Sequence, residues 1–365
     1  MKITAAVARS LHAPLDFETL ELDEVGNDEV RVRLVATGVC HTDALVRDGV
    51  LPNSLPVVLG HEGSGIVEAV GENVETVVVG DHVVLGFNSC GACPPCTSGH
   101  PAYCTDFAKL NFGGQRADGT TSLSAGDERV GSHFFGQSSF ATHANVAARS
   151  VVKVPSTVPL ELLGPLGCGI STGAGTVLNV LKPEAGASIV IFGTGAVGNS
   201  ALLAAIVAGC STIIMVDVVA KRLDLARSLG ATHTINGLHE DAVAMVHEIT
   251  GSGARYAIDT TGNPLVFRQM IDALAPQGSA ALVGAAAPGT EALIDIGAFL
   301  VNSPTVTAVI EGDVVPQTFI PYLIDLYERG LFPFAELIKS YPFENINEAF
   351  ADSEAGLTIK PVVVF

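Results

Sequence analysis

The residues Val30–Val35 largely alternate apolar and charged side chains, the period of a half-buried strand. Gly65–Val70 and His82–Leu85 are further short β-type runs that end at glycines. Gly119–Gly131 is polar and turn-rich and predicts an exposed loop. From about residue 186 the rhythm changes. Ser188–Phe192 predicts a short apolar strand, Val197–Ala208 a helix, and Thr212–Val216 a strand. Lys221–Leu229 predicts an amphipathic helix stopped by Gly230. Thr232–Ile235, Arg255–Asp259 and Ser279–Val283 continue as strands, with helices over Asp241–Thr250 and Leu265–Leu274. Thr305–Ile310 supplies a last strand and Pro316–Arg329 a long helix. Strands alternating with helices imply βαβ units and a parallel sheet covered on both faces. The β-branched tail Ile359–Phe365 is expected to return to the first domain.

From Ala185 to Val216 there is no charged residue, so a transmembrane span is one reading of that stretch. Gly186, Gly193, Gly195, Gly198 and Gly209 punctuate it. They fit strand, turn, helix, turn and strand better than one continuous span. The start, Met1 to Arg9, has no long apolar segment of the signal-peptide kind.

Composition narrows the partners. The 365 residues are too many for one comfortable core, so two domains are expected. Hydrophobic residues make up 48% and charged ones 16%, which excludes wholesale disorder. The formal net charge of −19 argues against nucleic acid or an anionic membrane, both of which need basic patches. The 7 cysteines are an odd number in a long chain, which reads as a reduced, cytoplasmic protein rather than a disulfide scaffold.

Gly193-Thr194-Gly195-Ala196-Val197-Gly198 has Gly-x-Gly-x-x-Gly spacing, follows an apolar strand and opens a helix. Gly193 would make the tight turn, Gly195 would admit a pyrophosphate, and Gly198 would let helix and sheet pack closely. The helix N-terminus offers free amides to phosphates. Asp217 ends the next strand, where an acid can bind ribose hydroxyls and repel a 2′-phosphate, so NAD is favoured over NADP.

Cys90-x-x-Cys93-x-x-Cys96 followed by Cys104 brings four soft donors into one lobe, the pattern of a closed structural zinc site. An iron–sulfur cluster could use the same thiolates, though nothing else points to electron transfer. A second set is dispersed: Cys40-His41-Thr42-Asp43, Gly60-His61-Glu62-Gly63, and Cys168 within Leu166-Gly167-Cys168-Gly169. Singly, each cysteine reads as a small core residue and His61 as a satisfied buried histidine. Spacing alone does not join them.

Together these motifs resemble the zinc-dependent medium-chain alcohol dehydrogenase family from about residue 4 to the C-terminus. The resemblance implies an α/β architecture in which a GroES-like β-barrel catalytic domain carries an inserted Rossmann domain, a doubly wound parallel sheet. Residues 1–169 and 310–365 would form the catalytic domain and 170–309 the NAD-binding domain. It implies two zinc ions per chain. Cys40, His61 and Cys168 match the catalytic ligands, leaving a fourth position open. Glu62 matches an acid beside the metal, Asp43 the acid that holds the zinc histidine, and Thr42 the first hydroxyl of a proton relay. His41 matches a basic position near the pyrophosphate, and Lys360 one that reaches it. Thr172 and Val197 match residues flanking the nicotinamide, Val283 and Ala285 backbone contacts to its carboxamide, and Arg222 a basic residue near the adenosine. Family members are usually dimers or tetramers, so a homodimer or homotetramer is expected.

The chain departs from the liver-type pattern at Leu45, where those members carry a histidine. Leu45 cannot pass a proton, so the relay from Thr42 would end in water or at His41. Phe134–Phe140 and Gly169–Gly175 resemble the aryl-alcohol (benzyl alcohol) dehydrogenase branch, which also takes allylic and terpenoid alcohols. NAD-linked interconversion of such primary alcohols and aldehydes is therefore the expected activity. The alternatives are the glutathione-linked formaldehyde dehydrogenase branch and a non-catalytic NAD- or zinc-binding protein descended from the enzyme.

Overall fold

The computed structural model describes all 365 residues and divides them into two compact units. The first comprises Met1–Cys168, Val315–Arg329 and Ala335–Phe365, and the second Gly169–Val314 with Gly330–Phe334.

The first unit is built on two sheets. One runs in the order Val57–Val58, Lys2–Ala8, Asp16–Leu22, Leu123–Ala125 and Glu128–Val130. The other runs Val151–Lys153, His82–Leu85, Gly63–Val70, Glu29–Gly38, Lys360–Val364 and Ile338–Pro342, with His143–Ala147 also paired to Glu29–Gly38. The alternation seen in the sequence has a plain cause: Val30, Val32 and Leu34 point into a core with Val67, Val83, Leu85 and Val146, while Arg33 faces water. The C-terminal strand does return to this unit, pairing Val362 with Gly38 and Val364 with Ala36.

The segment Gly119–Gly131 is not simply an exposed loop. It contains a short antiparallel hairpin in which Leu123 pairs with Val130, both buried, and Gly126 turns the chain at φ 60°. Each strand spans only 3 residues, too few for a period to show.

The second unit is a six-stranded parallel sheet in the order His233–Asn236, Thr212–Asp217, Ser188–Phe192, Ala254–Asp259, Leu274–Leu282 and Thr305–Ala308. That is strand order 3-2-1-4-5-6, the doubly wound arrangement. Ile189–Phe192 and Ile213–Val216 are buried throughout, as strands covered on both faces must be. The helix Ala196–Val207 carries no charged residue because most of it is buried, against the helix Gly169–Gly175 as well as the sheet. Its 12 residues span about 18 Å, well short of a bilayer core. No helix of the chain is long and apolar enough to cross a membrane. The strand expected from Ser279 already begins at Leu274, and its pairing with Ala254–Asp259 shifts register between Leu274 and Ser279. The unit runs on to Val314, beyond residue 309, because the turn Glu311–Asp313 packs on the helix Gly169–Gly175.

One buried ionic cluster ties the first unit together. Glu29 accepts hydrogen bonds from Arg116 Nε (2.6 Å), the Gly26 amide (2.8 Å) and His133 Nε2 (2.7 Å). Burial alone would raise its pKa, but the His133 and Arg116 contacts prevail and hold it down to about 2. The folded value lies below the ordinary 4.5, so the stabilisation is complete above that value and fades as pH falls toward 2. Glu29→Gln is expected to cost about 3 kcal/mol at pH 7. In urea unfolding, the gap between variant and parent should close as the pH is lowered through that window.

Candidate active site

The dispersed motifs meet within the first unit. Ligand atoms of Cys40, His61, Glu62 and Cys168 all lie within 4.8 Å of one another. Cys40 leaves the strand Glu29–Gly38 and caps the short helix His41–Arg47. His61 and Glu62 immediately precede the strand Gly63–Val70, and Cys168 follows the turn Gly164–Gly167. Asp43, fully buried, holds the arrangement. Its Oδ2 accepts the Cys40 amide (3.0 Å), and its Oδ1 accepts the Gly60 amide (3.0 Å) and His61 Nδ1 (2.9 Å). That bond places the ring proton on Nδ1 and leaves the Nε2 lone pair directed elsewhere. His61 Nε2 is buried and makes no hydrogen bond. A buried polar atom of this kind needs a partner, and a zinc ion among an imidazole and two thiolates meets that need.

Electrostatics favour a cation at this point. The hydrogen bond from Cys168, opposed by burial and aided by Lys360 and His61, holds the Cys40 thiol well below its usual range. Glu62 is buried and pushed up by desolvation, with Lys360 opposing. Lys360 Nζ stands 2.8 and 2.9 Å from the two Glu62 oxygens and 3.3 Å from the Val39 carbonyl. A Cβ on Gly38 would lie 1.9 Å from Glu62 Oε2, so glycine there makes room for the carboxylate.

The second cluster is a four-sulfur lobe. Cys90, Cys93, Cys96 and Cys104 converge within the same 4.8 Å limit. Cys90 and Cys96 sulfurs are 4.0 Å apart and those of Cys93 and Cys104 3.9 Å. These are too long for disulfides and close to the ~3.8 Å edge of a tetrahedron of sulfurs about 2.3 Å from zinc. Backbone amides of Cys90 and Cys93 point at Cys104 and Cys90 sulfurs (both 3.3 Å). The Cys93 thiol is drawn down to about 6, chiefly by the Thr105 and Cys96 amides.

In the second unit the glycine-rich turn lies between Phe192 and the helix Ala196–Val207. A Cβ on Gly198 would fall 1.9 Å from the Gly193 carbonyl, so only glycine permits this approach of helix to turn. Above Gly195 there is open space for a phosphate. Asp217 Oδ2 accepts the Thr194 amide (2.7 Å) and hydroxyl (2.6 Å), while Oδ1 accepts the Val218 (2.7 Å) and Val219 (2.9 Å) amides. The acid is thus fixed beside the turn it serves.

Residues 196–329 match the zinc-binding dehydrogenase family, and residues 26–156 the alcohol dehydrogenase GroES-like domain. The chain is 48% identical to the geraniol dehydrogenase of Castellaniella defragrans over 363 residues, 99% of this chain and 97% of the relative. The chain belongs to the zinc-dependent medium-chain alcohol dehydrogenases. This alcohol dehydrogenase also matches the crystal structure of benzyl alcohol dehydrogenase from Acinetobacter calcoaceticus. The TM-score is 0.97 and the identity 48%, with 100% of this chain and 99% of that one covered. A probable S-(hydroxymethyl)glutathione dehydrogenase 1 of Schizosaccharomyces pombe is 37% identical over 98% of this chain and 96% of its own, so that branch stands further off. The first unit of the dehydrogenase carries the GroES-like domain, and its second is Rossmann-type.

Within this alcohol dehydrogenase, the Lys360 ammonium is buried against Glu62 at the metal cluster, a pairing the sequence did not show. His41 is exposed at the start of its helix and Thr42 half-buried beside it. In the second unit Gly193, Gly195 and Val197 are half-buried at the turn, and Arg222 has a buried Nε without a partner. Thr172 is buried, Val283 donates its amide to the Asp259 carbonyl (2.8 Å), and Ala285 is exposed.

Two residues at the metal cluster escaped sequence reasoning. Phe135 stacks on His61, with ring centroids 4.5 Å apart and planes 26° off parallel. Gln137, buried, accepts the Gly63 amide and donates to the His61 and Gly86 carbonyls. Both lie in the Phe134–Phe140 motif, which the sequence offered only as a branch marker. Asp43→Asn should cost this dehydrogenase about 10–100-fold in affinity for the catalytic metal, because the His61 tautomer is no longer fixed. Metal content after dialysis against graded chelator checks this.

Proposed function

We propose that this dehydrogenase interconverts primary aromatic or allylic alcohols and their aldehydes with NAD. The observation that carries the reading is the partnerless Nε2 of His61, set among two thiolates and beside the rings of Phe134 and Phe135. The relatives of nearly equal length that act, by name, on geraniol and benzyl alcohol support it.

Cys40, His61 and Cys168 would hold the catalytic zinc, and the four-cysteine lobe the structural one. When bound, the zinc supplies Lewis acidity and the dinucleotide a hydride acceptor. Asp43 keeps the proton of His61 on Nδ1, so that Nε2 remains a donor of electrons. Thr42 Oγ receives the alcohol's hydroxyl proton and passes it on. Leu45 cannot take it further, so the proton leaves through water or the exposed His41. Gly193, Gly195 and Gly198 shape the phosphate cradle. Asp217 binds the ribose hydroxyls and repels a 2′-phosphate. Arg222 would hold the adenosine end, and Thr172, Val197, Val283 and Ala285 would position the nicotinamide.

Turnover of benzyl alcohol, geraniol, ethanol and S-(hydroxymethyl)glutathione with NAD and NADP tests the reading. The aromatic and allylic alcohols with NAD should give the highest kcat/KM. Preference for the glutathione adduct refutes the substrate class, and Cys168→Ser retaining near-parental turnover refutes the metal role. Asp217→Asn should shift the NAD to NADP ratio by about tenfold toward NADP, equivalent to about 1.4 kcal/mol.

The same reading makes the protein a homodimer or homotetramer. Leu293, Ile296, Leu300 and Val301 are exposed near the edge strand Thr305–Ala308, an apolar surface suited to a second copy. Light scattering that returns a monomer at assay concentration refutes it.

A further inference from the structure

The four-cysteine lobe and the catalytic cluster lie in the same unit, and a set of phenylalanines runs between them. The lobe's two stems are tied by Asn111, which is fully buried. Its Oδ1 accepts the Asn88 amide (2.8 Å), and its Nδ2 donates to the Asn88 (2.9 Å) and Phe107 (2.8 Å) carbonyls. Asn88 enters the lobe just before Cys90, and the helix Phe107–Phe112 leaves it just after Cys104. That helix turns two rings toward the catalytic side. Phe107 meets Phe135 edge-on at 6.3 Å, and Phe112 meets Phe135 at 5.1 Å and Phe134 at 5.9 Å. Phe134 and Phe135 in turn enclose His61, at 5.5 Å edge-on and 4.5 Å stacked.

The loop that carries these two rings is held in a costly conformation. His133, Phe135 and Ser138 all have left-handed backbone, at φ 61°, 53° and 56°. A bulky residue such as phenylalanine rarely sits there, and it persists only where its surroundings over-determine it. Here they do so at three points. His133 is bound to Glu29, Ser138 Oγ donates to the Val58 carbonyl (2.5 Å), and Gln137 spans the His61 and Gly86 carbonyls. The conformation delivers the Phe135 ring to one face of the imidazole.

We propose that this aromatic bridge couples the lobe to the catalytic centre, so that loading the lobe with metal sets how firmly His61 is positioned for its own. Asp43 fixes one edge of the imidazole and Phe135 one face. With both in place the ring can neither tilt nor rotate away from Cys40 and Cys168. Phe135 is a positioning residue, and Phe107 and Phe112 hold it from the lobe side. A lobe without its ion holds its stems through Asn111 alone, so the helix Phe107–Phe112 gains freedom, and close packing passes its displacement along the rings. The inference rests on zinc occupying both clusters.

The test uses the full chain with cobalt exchanged into the catalytic site, read by its visible absorption and by its rate of loss to EDTA. Cys96→Ser, which empties the lobe, should speed catalytic metal loss by about tenfold in the parent background. In a Phe135→Leu background it should add less than about twofold, the non-additivity that marks coupled residues. Equal acceleration in both backgrounds, or none in the parent, overturns the proposal. Should Cys96→Ser fail to fold, Phe107→Leu with the lobe loaded carries the test. It should shift the cobalt absorption and hasten metal loss, and parental values overturn the bridge. The same effect from Phe17→Leu, whose ring packs on Phe343 instead, overturns it too. A chain that takes no metal at Cys40, His61 and Cys168 refutes the zinc reading itself, whereas bound metal without coupling refutes only the bridge.

Discussion

One buried carboxylate organises the chemistry. Asp43 gathers the backbone amide beside one thiolate, the amide before the histidine, and the imidazole itself. A charge removed from water must be repaid by good donors, and three of them converge on Asp43 from two separate loops. The loops are therefore tied to each other before any ion arrives. Its position in the first turn of the helix His41–Arg47 adds the favourable end of the helix dipole. A neighbouring buried pair, Glu62 with Lys360, keeps a second carboxylate compensated against the same centre.

The nucleotide turn follows the same economy. Asp217 ties down the turn through the Thr194 amide and hydroxyl. The side chain proposed to select the coenzyme is thus one that shapes the turn itself. Selectivity and backbone geometry cannot be altered separately at that position.

Local sequence signals read well wherever the chemistry is local. The glycine turn and the four-cysteine lobe each occupy one short stretch, and their spacing reflects a single loop closing on itself. The parallel sheet was legible because buried strands and helices differ in length and punctuation. Cys40, His61 and Cys168 were different. Nothing in their spacing joins them, because what brings them together is strand pairing in the barrel and the hydrogen bonds of Asp43. Resemblance to a family supplied that link. The pairing of Lys360 with Glu62 was hidden for the same reason: a lone lysine near a chain end gives no sign that pairing beside Glu29–Gly38 will bury it against Glu62. Phe135 was hidden otherwise, since its left-handed backbone runs against its own propensity. The hairpin at Leu123 and Val130 was simply too short to show a period.

The strand Lys360–Val364 lies between Glu29–Gly38 and Ile338–Pro342. Its place has a consequence for biosynthesis. A ribosome extrudes residues 40, 61 and 168 long before 360, so the nascent barrel waits with His143–Ala147 covering Glu29–Arg33 but the Ala36–Gly38 end of that edge unpaired, and Glu62 lacking its counter-charge. The inserted nucleotide-binding unit, whose strands are contiguous in the chain, is complete earlier. Vectorial synthesis therefore finishes the coenzyme domain first and the metal domain last, and the half-made barrel is the species most exposed to aggregation and to chaperones.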